Sequence, residues 1–481
     1  MSVLAEGVAP RPDRERTPWP LVLAAAITAV IAGGLGPWRP EAAVGLVIVV
    51  WGSYLVVCAP AIGVAGLALL TPVLSGMRAG LPVPHLRLSE VLIVWVGGLV
   101  ILAARRPVPR WGPLEWAGLA YGLATLGLGL LDLARRHSSL GDAQLNQMVG
   151  AFQYLVLLRA VRVGCPDPQD VRRTLRALLA GAVPVSLLAL LQGFGVTAAH
   201  RFAVTLTGVD EGHLTRAIGP FSNWQVLAGY LFIIALLTTA ALVEHESIIV
   251  SAKLGIPLLV LVLAALARTL TIGAFVGAIL GCGVLLVGAG RIRMSRAQAI
   301  SAGLVAVGGL AAVVAARFQQ QFTAQTGQAP TGLLPQTIAD RVHNWTHQYL
   351  PALTGRWPIG YGPGLPPQAT WRYTDSVYIT VLLRGGLVLL GFYLLLMYAF
   401  YRQARTIDRS SVRHVPAVAV AVAVALLLVL QLIATYFTTS GLPEVLWMLA
   451  GLSADTSGLR PRLSGRADDA RGHLVRSQVP V

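Results

Sequence analysis

Charge is scarce in this chain: Asp, Glu, Lys and Arg make up 12% of its 481 residues, against 55% apolar residues and a mean hydropathy of +0.69. A soluble domain carries about 25% charged residues, so a soluble globule of this length is excluded. Acid is rarer than base, 21 residues against 37, and Lys253 is the only lysine, a bias that suggests a GC-rich bacterial genome. Cysteine is almost missing. Cys58, Cys165 and Cys282 are far apart and none has a His or Cys at metal-ligand spacing, which excludes a disulfide framework and a thiolate metal site. There is no repeat of 20–50 residues and no symmetry between halves of the kind many secondary transporters show. The formal charge of +16 does not point to nucleic acid, because no soluble domain is there to present a basic face.

What is present is apolar sequence in long runs. A membrane crossing needs about 20 residues, and twelve to fourteen candidate spans fall near 19–36, 42–57, 61–75, 89–104, 113–131, 148–163, 174–195, 223–243, 253–267, 268–288, 297–315, 376–400, 415–437 and 442–454. These predict an all-α polytopic membrane protein with 12–14 transmembrane helices. The first span is expected to be retained, since no small-residue cleavage site leads into a soluble mature domain. Basic residues in short loops stay on the cytoplasmic side. With the amino terminus inside, 24 of the 37 basic residues fall on that side, including Arg105, Arg106, Arg110, Arg159, Arg162, Arg172, Arg173, Arg176, Arg402, Arg405, Arg409 and Arg413. Both termini are then cytoplasmic. The expected organisation is a cytoplasmic tail at 1–18, a helical bundle at 19–315, a large extracytoplasmic loop at 316–374, carboxy-terminal membrane helices at 375–454 and a cytoplasmic tail at 455–481. A second outward loop lies near 196–222.

The large loop carries one helical pattern. Ile338, Val342, Trp345, Tyr349, Leu350 and Leu353 recur at helical spacing, with Asp340, Arg341, His343, Asn344 and His347 on the polar side. A short amphipathic helix of this kind lies along a membrane surface or caps a bundle. Gly355-Arg-Trp-Pro-Ile-Gly-Tyr-Gly-Pro-Gly364 follows, a segment dense in turn residues.

Four elements in this order resemble the O-antigen ligase and polymerase family of bacterial membrane glycosyltransferases. The first is Arg216-Ala-Ile-Gly-Pro-Phe-Ser-Asn-Trp-Gln-Val-Leu-Ala-Gly229, similar to an Arg-x-x-Gly-x-Phe-x-Asn stretch entering a helix from the outer face. The second is Ala267-Arg-Thr-Leu-Thr-Ile-Gly273. The third is Arg341 with Trp345, leading to Pro358-Ile-Gly-Tyr-Gly362. The fourth is Asp375-Ser376 followed, after nine residues, by Gly386. The resemblance covers about Arg216 to Gly391. It implies a GT-C-like fold in the bacterial inner membrane, with a polyprenyl-diphosphate-linked glycan as donor, an acceptor glycan as second substrate and the reaction at the outer face. Ligases of the family carry His where Asp375 stands, so polymerase is preferred over ligase.

Transfer from such a donor leaves negative charge on the diphosphate and requires a hydroxyl to lose its proton. Guanidinium groups offer paired donors to phosphate oxygens at any working pH, which makes Arg216, Arg268 and Arg341 the candidates for charge stabilisation and requires no metal or other cofactor. Asp375 is the leading base, with His343 behind it. Each has a plainer alternative: arginines at helix ends snorkel to headgroups, Arg341 could be the solvated face of its helix, and an Asp before a helical run is a preferred N-cap. Arg384, two turns into the next span, is a substrate contact or a buried ion pair. Asn223 is an amide contact or a cap. Gly360 and Gly362 could bring backbone N–H groups to the diphosphate or simply turn the chain. Tyr378 completes the substrate-binding candidates. His343 and His347 lie one turn apart but lack a third ligand, so no metal site is expected. The rival class is a polysaccharide or lipid-glycan transporter or flippase, which would carry its charges near the bilayer midplane.

Overall fold

The computed structural model describes residues 40–77, 86–104, 109–136, 142–209, 216–244, 249–290, 336–362, 374–438 and 441–454. Among these residues the chain is helical without strands, an all-α polytopic membrane protein. It divides into two compact units, Met1–Ala59 and Pro60–Val481. The first contains α1 (Pro40–Cys58), whose Trp51 and Tyr54 rings meet edge to face at 5.9 Å.

The second unit contains α2 (Pro60–Leu74), α3 (Leu88–Leu102), α4 (Pro113–Arg136), α5 (Asp142–Gly164), α6 (Pro168–Gly193), α7 (Thr197–Thr207), α8 (Trp224–Val243), α9 (Ala252–Arg268) and α10 (Ile272–Gly288). It continues with α11 (Gln336–Asn344), a π turn (Trp345–Tyr349), α12 (Leu350–Ala352), α13 (Val377–Arg405), α14 (His414–Leu430) and α15 (Leu442–Leu452). Among the described residues, four helices are long and apolar enough to cross a bilayer unaided: α4, α6, α8 and α13. In the second unit α2, α3, α10, α14 and α15 are shorter apolar helices. The expected spans near 19–36 and 297–315, and both tails, lie outside the described residues.

Helix α8 is the centre. It is apolar all round, every residue from Val226 to Ala241 is buried, and α6, α9, α10, α14 and α15 pack around it. A helix without a polar face can lie against lipid or against protein; here protein encloses it. Its two threonines add no demand of their own: Thr238 returns its hydroxyl to the Ile234 carbonyl at 2.8 Å, and Thr239 donates to Cys282. Elsewhere α2 packs on α6, α3 on α5, and α4 on α13.

The ends of the bundle differ in chemistry. One is rich in arginine and is tied together by it. Arg413 donates to the carbonyls of Cys165, Pro166 and Leu452, at 2.8, 3.0 and 3.0 Å, so one guanidinium joins the carboxyl ends of α5 and α15, where the helix dipoles are negative. Arg176 reaches the Ile249 carbonyl at 3.2 Å, and His414 faces Glu244 at 3.6 Å. The opposite end holds the carboxyl end of α6, residues 216–224, the α9–α10 turn, the α11 region, the start of α13 and the loop after α14.

Two boundaries differ from the sequence expectation. The loop near 196–222 contains a helix, α7, closed by Gly208 in a left-handed conformation. The span expected to run to 437 stops at Leu430, because the next carbonyls are needed elsewhere: that of Gln431 accepts the Val377 N–H at 3.0 Å and the Ser376 hydroxyl at 3.2 Å.

Candidate functional site

The amphipathic pattern forms a helical run from Gln336 to Ala352, interrupted by the π turn. In that turn the Leu350 N–H bonds back to the Trp345 carbonyl, widening the helix where such bulges are commonly functional. The run is seated by Tyr349, Leu353 and Tyr361 against Leu382 and Leu383 of α13. Trp345 fixes its rotation, its indole N–H donating to the Thr374 carbonyl at 2.7 Å.

This places Arg341 against Asp375. The guanidinium Nε lies 3.3 Å from Asp375 Oδ2, and both side chains are mostly buried. A second arm, Nη1, donates to the Ile433 carbonyl at 3.1 Å, so the fork spans the start of α13 and the loop after α14. Gln225, in the first turn of α8, donates to Asp375 Oδ1 at 3.4 Å and accepts from the Thr435 hydroxyl at 3.4 Å. Asp375 does not cap α13. Ser376 does, its hydroxyl accepting from the Ile379 N–H, while Asp375 sits one residue earlier at φ +51 and keeps its carboxylate for Arg341.

Two phenols border the pair. Burial, and then the Asp375 charge, push the Tyr349 phenol up to about 12. Tyr436, in the loop after α14, is raised by burial and partly opposed by Arg341. Both therefore face the site as neutral hydroxyls at ordinary pH.

Arg216 and Arg268 form a neighbouring group. The Ala217 N–H donates to the Arg268 carbonyl at 3.0 Å, docking the 216–219 segment on the end of α9, and Gln192 of α6 accepts from the Gly219 N–H at 2.7 Å. The Arg216 guanidinium lies over Trp224 at 5.0 Å, so it stands beside the residue that precedes Gln225. The Arg268 guanidinium lies over Phe194 at 5.2 Å, and its Nε is buried without a hydrogen-bond partner among the described residues. The structure thus brings Arg341 and Asp375 into contact and Arg216 and Arg268 into adjacent segments of the same end.

The remaining candidates have defined places. Asn223 caps α8, its side chain accepting from the Val226 N–H at 2.9 Å. The Tyr378 hydroxyl donates to the Leu428 carbonyl at 2.5 Å. Arg384 is half-buried, near Tyr121 of α4, and makes no ion pair among the described residues. His343 and His347 are exposed and stacked at 4.2 Å, and no group of three metal-ligating side chains occurs among the described residues.

Gly360 and Gly362 have their N–H groups occupied within the protein, by the carbonyls of Arg356 at 2.8 Å and Arg384 at 3.0 Å. Their role in the structure is to join the turn to α13. Helix α13 breaks at Gly386 (φ +62, ψ −157), and the turn fills the break: Tyr361 and Gly362 donate to Leu383 and Arg384, and Leu387 and Val388 donate to Trp357 and Pro358. Irregular backbone inside a bundle survives only when its polar groups find such partners. Arg356 secures the far side of the turn, lying 4.8 Å over the Tyr361 ring and 3.8 Å from Asp132 of α4.

Sequence reasoning missed Gln225, Tyr349 and the Ile433 and Thr435 contacts. Only Gln225 left a signal, a lone amide in the first turn of an otherwise apolar helix. The chain matches no protein-family model and no curated protein sequence.

Proposed function

We propose that this protein is a membrane glycosyltransferase that moves a glycan from a polyprenyl-diphosphate carrier to an acceptor glycan at the outer face of the bacterial cytoplasmic membrane, with polymerisation preferred over ligation. On this reading both termini are cytoplasmic, the arginine-rich end of the bundle faces the cytoplasm, and the Arg341–Asp375 end faces outward. The observation that carries it is the ion pair itself: a carboxylate and a guanidinium 3.3 Å apart, mostly buried, at the end of the bundle away from the arginine-rich loops.

The chemistry assigned to these groups is a single displacement with inversion. The acceptor hydroxyl oxygen attacks the anomeric carbon, its proton passes to Asp375, and the bond from that carbon to the phosphate oxygen breaks with the electron pair remaining on the diphosphate. Arg341, Arg216 and Arg268 stabilise that developing charge, commonly the largest catalytic term. An arriving diphosphate competes with Asp375 for Arg341, which loosens the resting pair and frees the carboxylate to take the acceptor proton. No metal is assigned a role.

Asp375→Asn tests the reading, because Asn tolerates the left-handed backbone at this position. Cells carrying it should make stable protein and accumulate lipid-linked glycan without product. Single-unit carriers in cells lacking the protein support polymerisation, and long carrier-bound chains support ligation. Undiminished product from Asp375→Asn removes the proposed base.

A further inference from the structure

The arginine-rich end contains a cationic group that the proposed reaction does not use. Glu115, in the first turn of α4, is fully buried and is shared by two arginines of α5: Arg162 pairs directly with its Oε1, and Arg159 Nη1 lies 3.5 Å from the same oxygen. The other carboxylate oxygen accepts the Gly112 N–H at 3.0 Å, so this acid is fully engaged. Arg159 and Arg162 are each at least nine-tenths buried, at 8% and 9% exposure. Among the described residues, one carboxylate faces two guanidiniums, a buried excess of one positive charge. Among the described residues the donors are under-supplied: Arg159 Nη1 has only the long ion pair to Glu115 and no hydrogen bond, and Arg162 Nε has no hydrogen-bond partner. The neighbouring groups are committed elsewhere, Arg413 to three backbone carbonyls and Asp170 to Arg173 at 3.3 Å.

Buried cationic donors without acceptors are costly unless an anion completes them. What surrounds them indicates which anion. The Arg159 guanidinium lies 5.7 Å from the Trp111 ring, Trp111 packs on Trp116 at 5.2 Å, and both indoles are exposed, at 41% and 59%. Exposed tryptophans at the start of a membrane helix mark headgroup depth, and phosphate suits planar guanidinium donors. We infer that Arg159, Arg162 and Trp111, at the corner between α4 and α5, form a headgroup site for an anionic phospholipid, its phosphodiester on the guanidiniums and its glycerol region against the indoles.

The test uses the full-length protein in nanodiscs of phosphatidylcholine with or without phosphatidylglycerol, read by thermal unfolding and by native mass spectrometry of retained lipid. Phosphatidylglycerol should be retained and should raise the unfolding midpoint. Arg159→Gln leaves the Glu115–Arg162 pair neutral. It should weaken phosphatidylglycerol retention by about tenfold, as expected for the loss of a charge-assisted hydrogen bond, and should be at least as stable as the parent in phosphatidylcholine alone. Trp111→Ala, at an exposed position, should weaken the lipid effect while leaving any effect of inorganic phosphate unchanged. Equal retention by parent and Arg159→Gln, or no preference for phosphatidylglycerol over phosphatidylcholine, overturns the site. Stabilisation by inorganic phosphate equal to that by the lipid, with Trp111→Ala silent, overturns the lipid assignment in favour of a free anion.

Discussion

Replacing Gly386 with Ala should loosen the joint between the 355–362 turn and α13. At φ +62 and ψ −157 the backbone is in a region open essentially to glycine alone, at a cost of about 1–3 kcal/mol for another residue. A Cβ there would lie 2.3 Å from the Trp357 carbonyl oxygen and 2.4 Å from the Ile359 nitrogen, so the turn must move. Movement breaks the bonds from Leu387 to Trp357 (2.8 Å) and from Val388 to Pro358 (3.2 Å), each worth about 0.5–1.5 kcal/mol. The combined penalty is about 2–6 kcal/mol, or roughly one and a half to four powers of ten in local opening. Hydrogen exchange on the full-length protein in nanodiscs should therefore show deprotection of the Tyr361, Gly362, Leu387 and Val388 amides. Activity should fall as well, because the same turn holds the helical run that carries Arg341. Gly391→Ala is the control: it lies on the same helix, a Cβ there meets nothing within 4 Å, and α13 shows no backbone break at that residue. It should be neutral or stabilising by up to about 1 kcal/mol. Unchanged exchange in Gly386→Ala, or equal loss in both variants, refutes the account of the joint.

Arg341→Lys should lower product formation by about ten- to a hundredfold, since an ammonium cannot hold Asp375 and the Ile433 carbonyl at once; adding Asp375→Asn to it should cost little more, and full additivity in that cycle would separate the two residues. Tyr349 is raised to about 12, so its folded-state preference for the neutral phenol is fully present below about pH 10, the ordinary tyrosine value, and is lost as pH rises through about 12. Tyr349→Phe should remove that alkaline loss of stability and leave the profile near neutrality alone, as thermal unfolding against pH would show. Cys58 is exposed, Cys165 and Cys282 are buried, and burial pushes the Cys165 thiol up to about 12. A maleimide should thus modify Cys58 alone. An impermeant maleimide that labels it in intact cells would overturn the assigned orientation.

The legible parts of the sequence were those in which one physical demand acts alone. Helix α8 is apolar on all sides, which marks it as a membrane span, while its central place comes from the helices packed around it. The spacing of Ile338, Val342, Trp345 and Tyr349 marked the amphipathic run to within two residues of its observed start. The Asp375 region was harder because two adjacent polar residues competed for one task. Asp and Ser are both good caps, and only the backbone at 375 shows that Ser376 took the cap and left the carboxylate available. The sequence leaves Gly360 and Gly362 open to a phosphate or a turn; the turn is what the structure shows, and its partner, the break at Gly386, is distant in sequence and shares no periodicity with it. Gln225 and the Ile433 carbonyl depend on long-range packing, which no local pattern encodes.

The positive φ at Asp375 narrows the menu of acid–base groups available at that spot. Asp, Asn and His enter left-handed backbone readily, whereas most other residues, Glu and Lys among them, do so at a cost of about 1–2 kcal/mol. An exchange of carboxylate for imidazole is therefore a change of one side chain that gives up the ion pair but leaves the Ser376 cap and the Arg341 bond to the Ile433 carbonyl standing. If Asp375 is the base of the proposed transfer, the scaffold can be retuned between proton acceptors of different intrinsic strength without being rebuilt, and Asp375→His is the shortest such step.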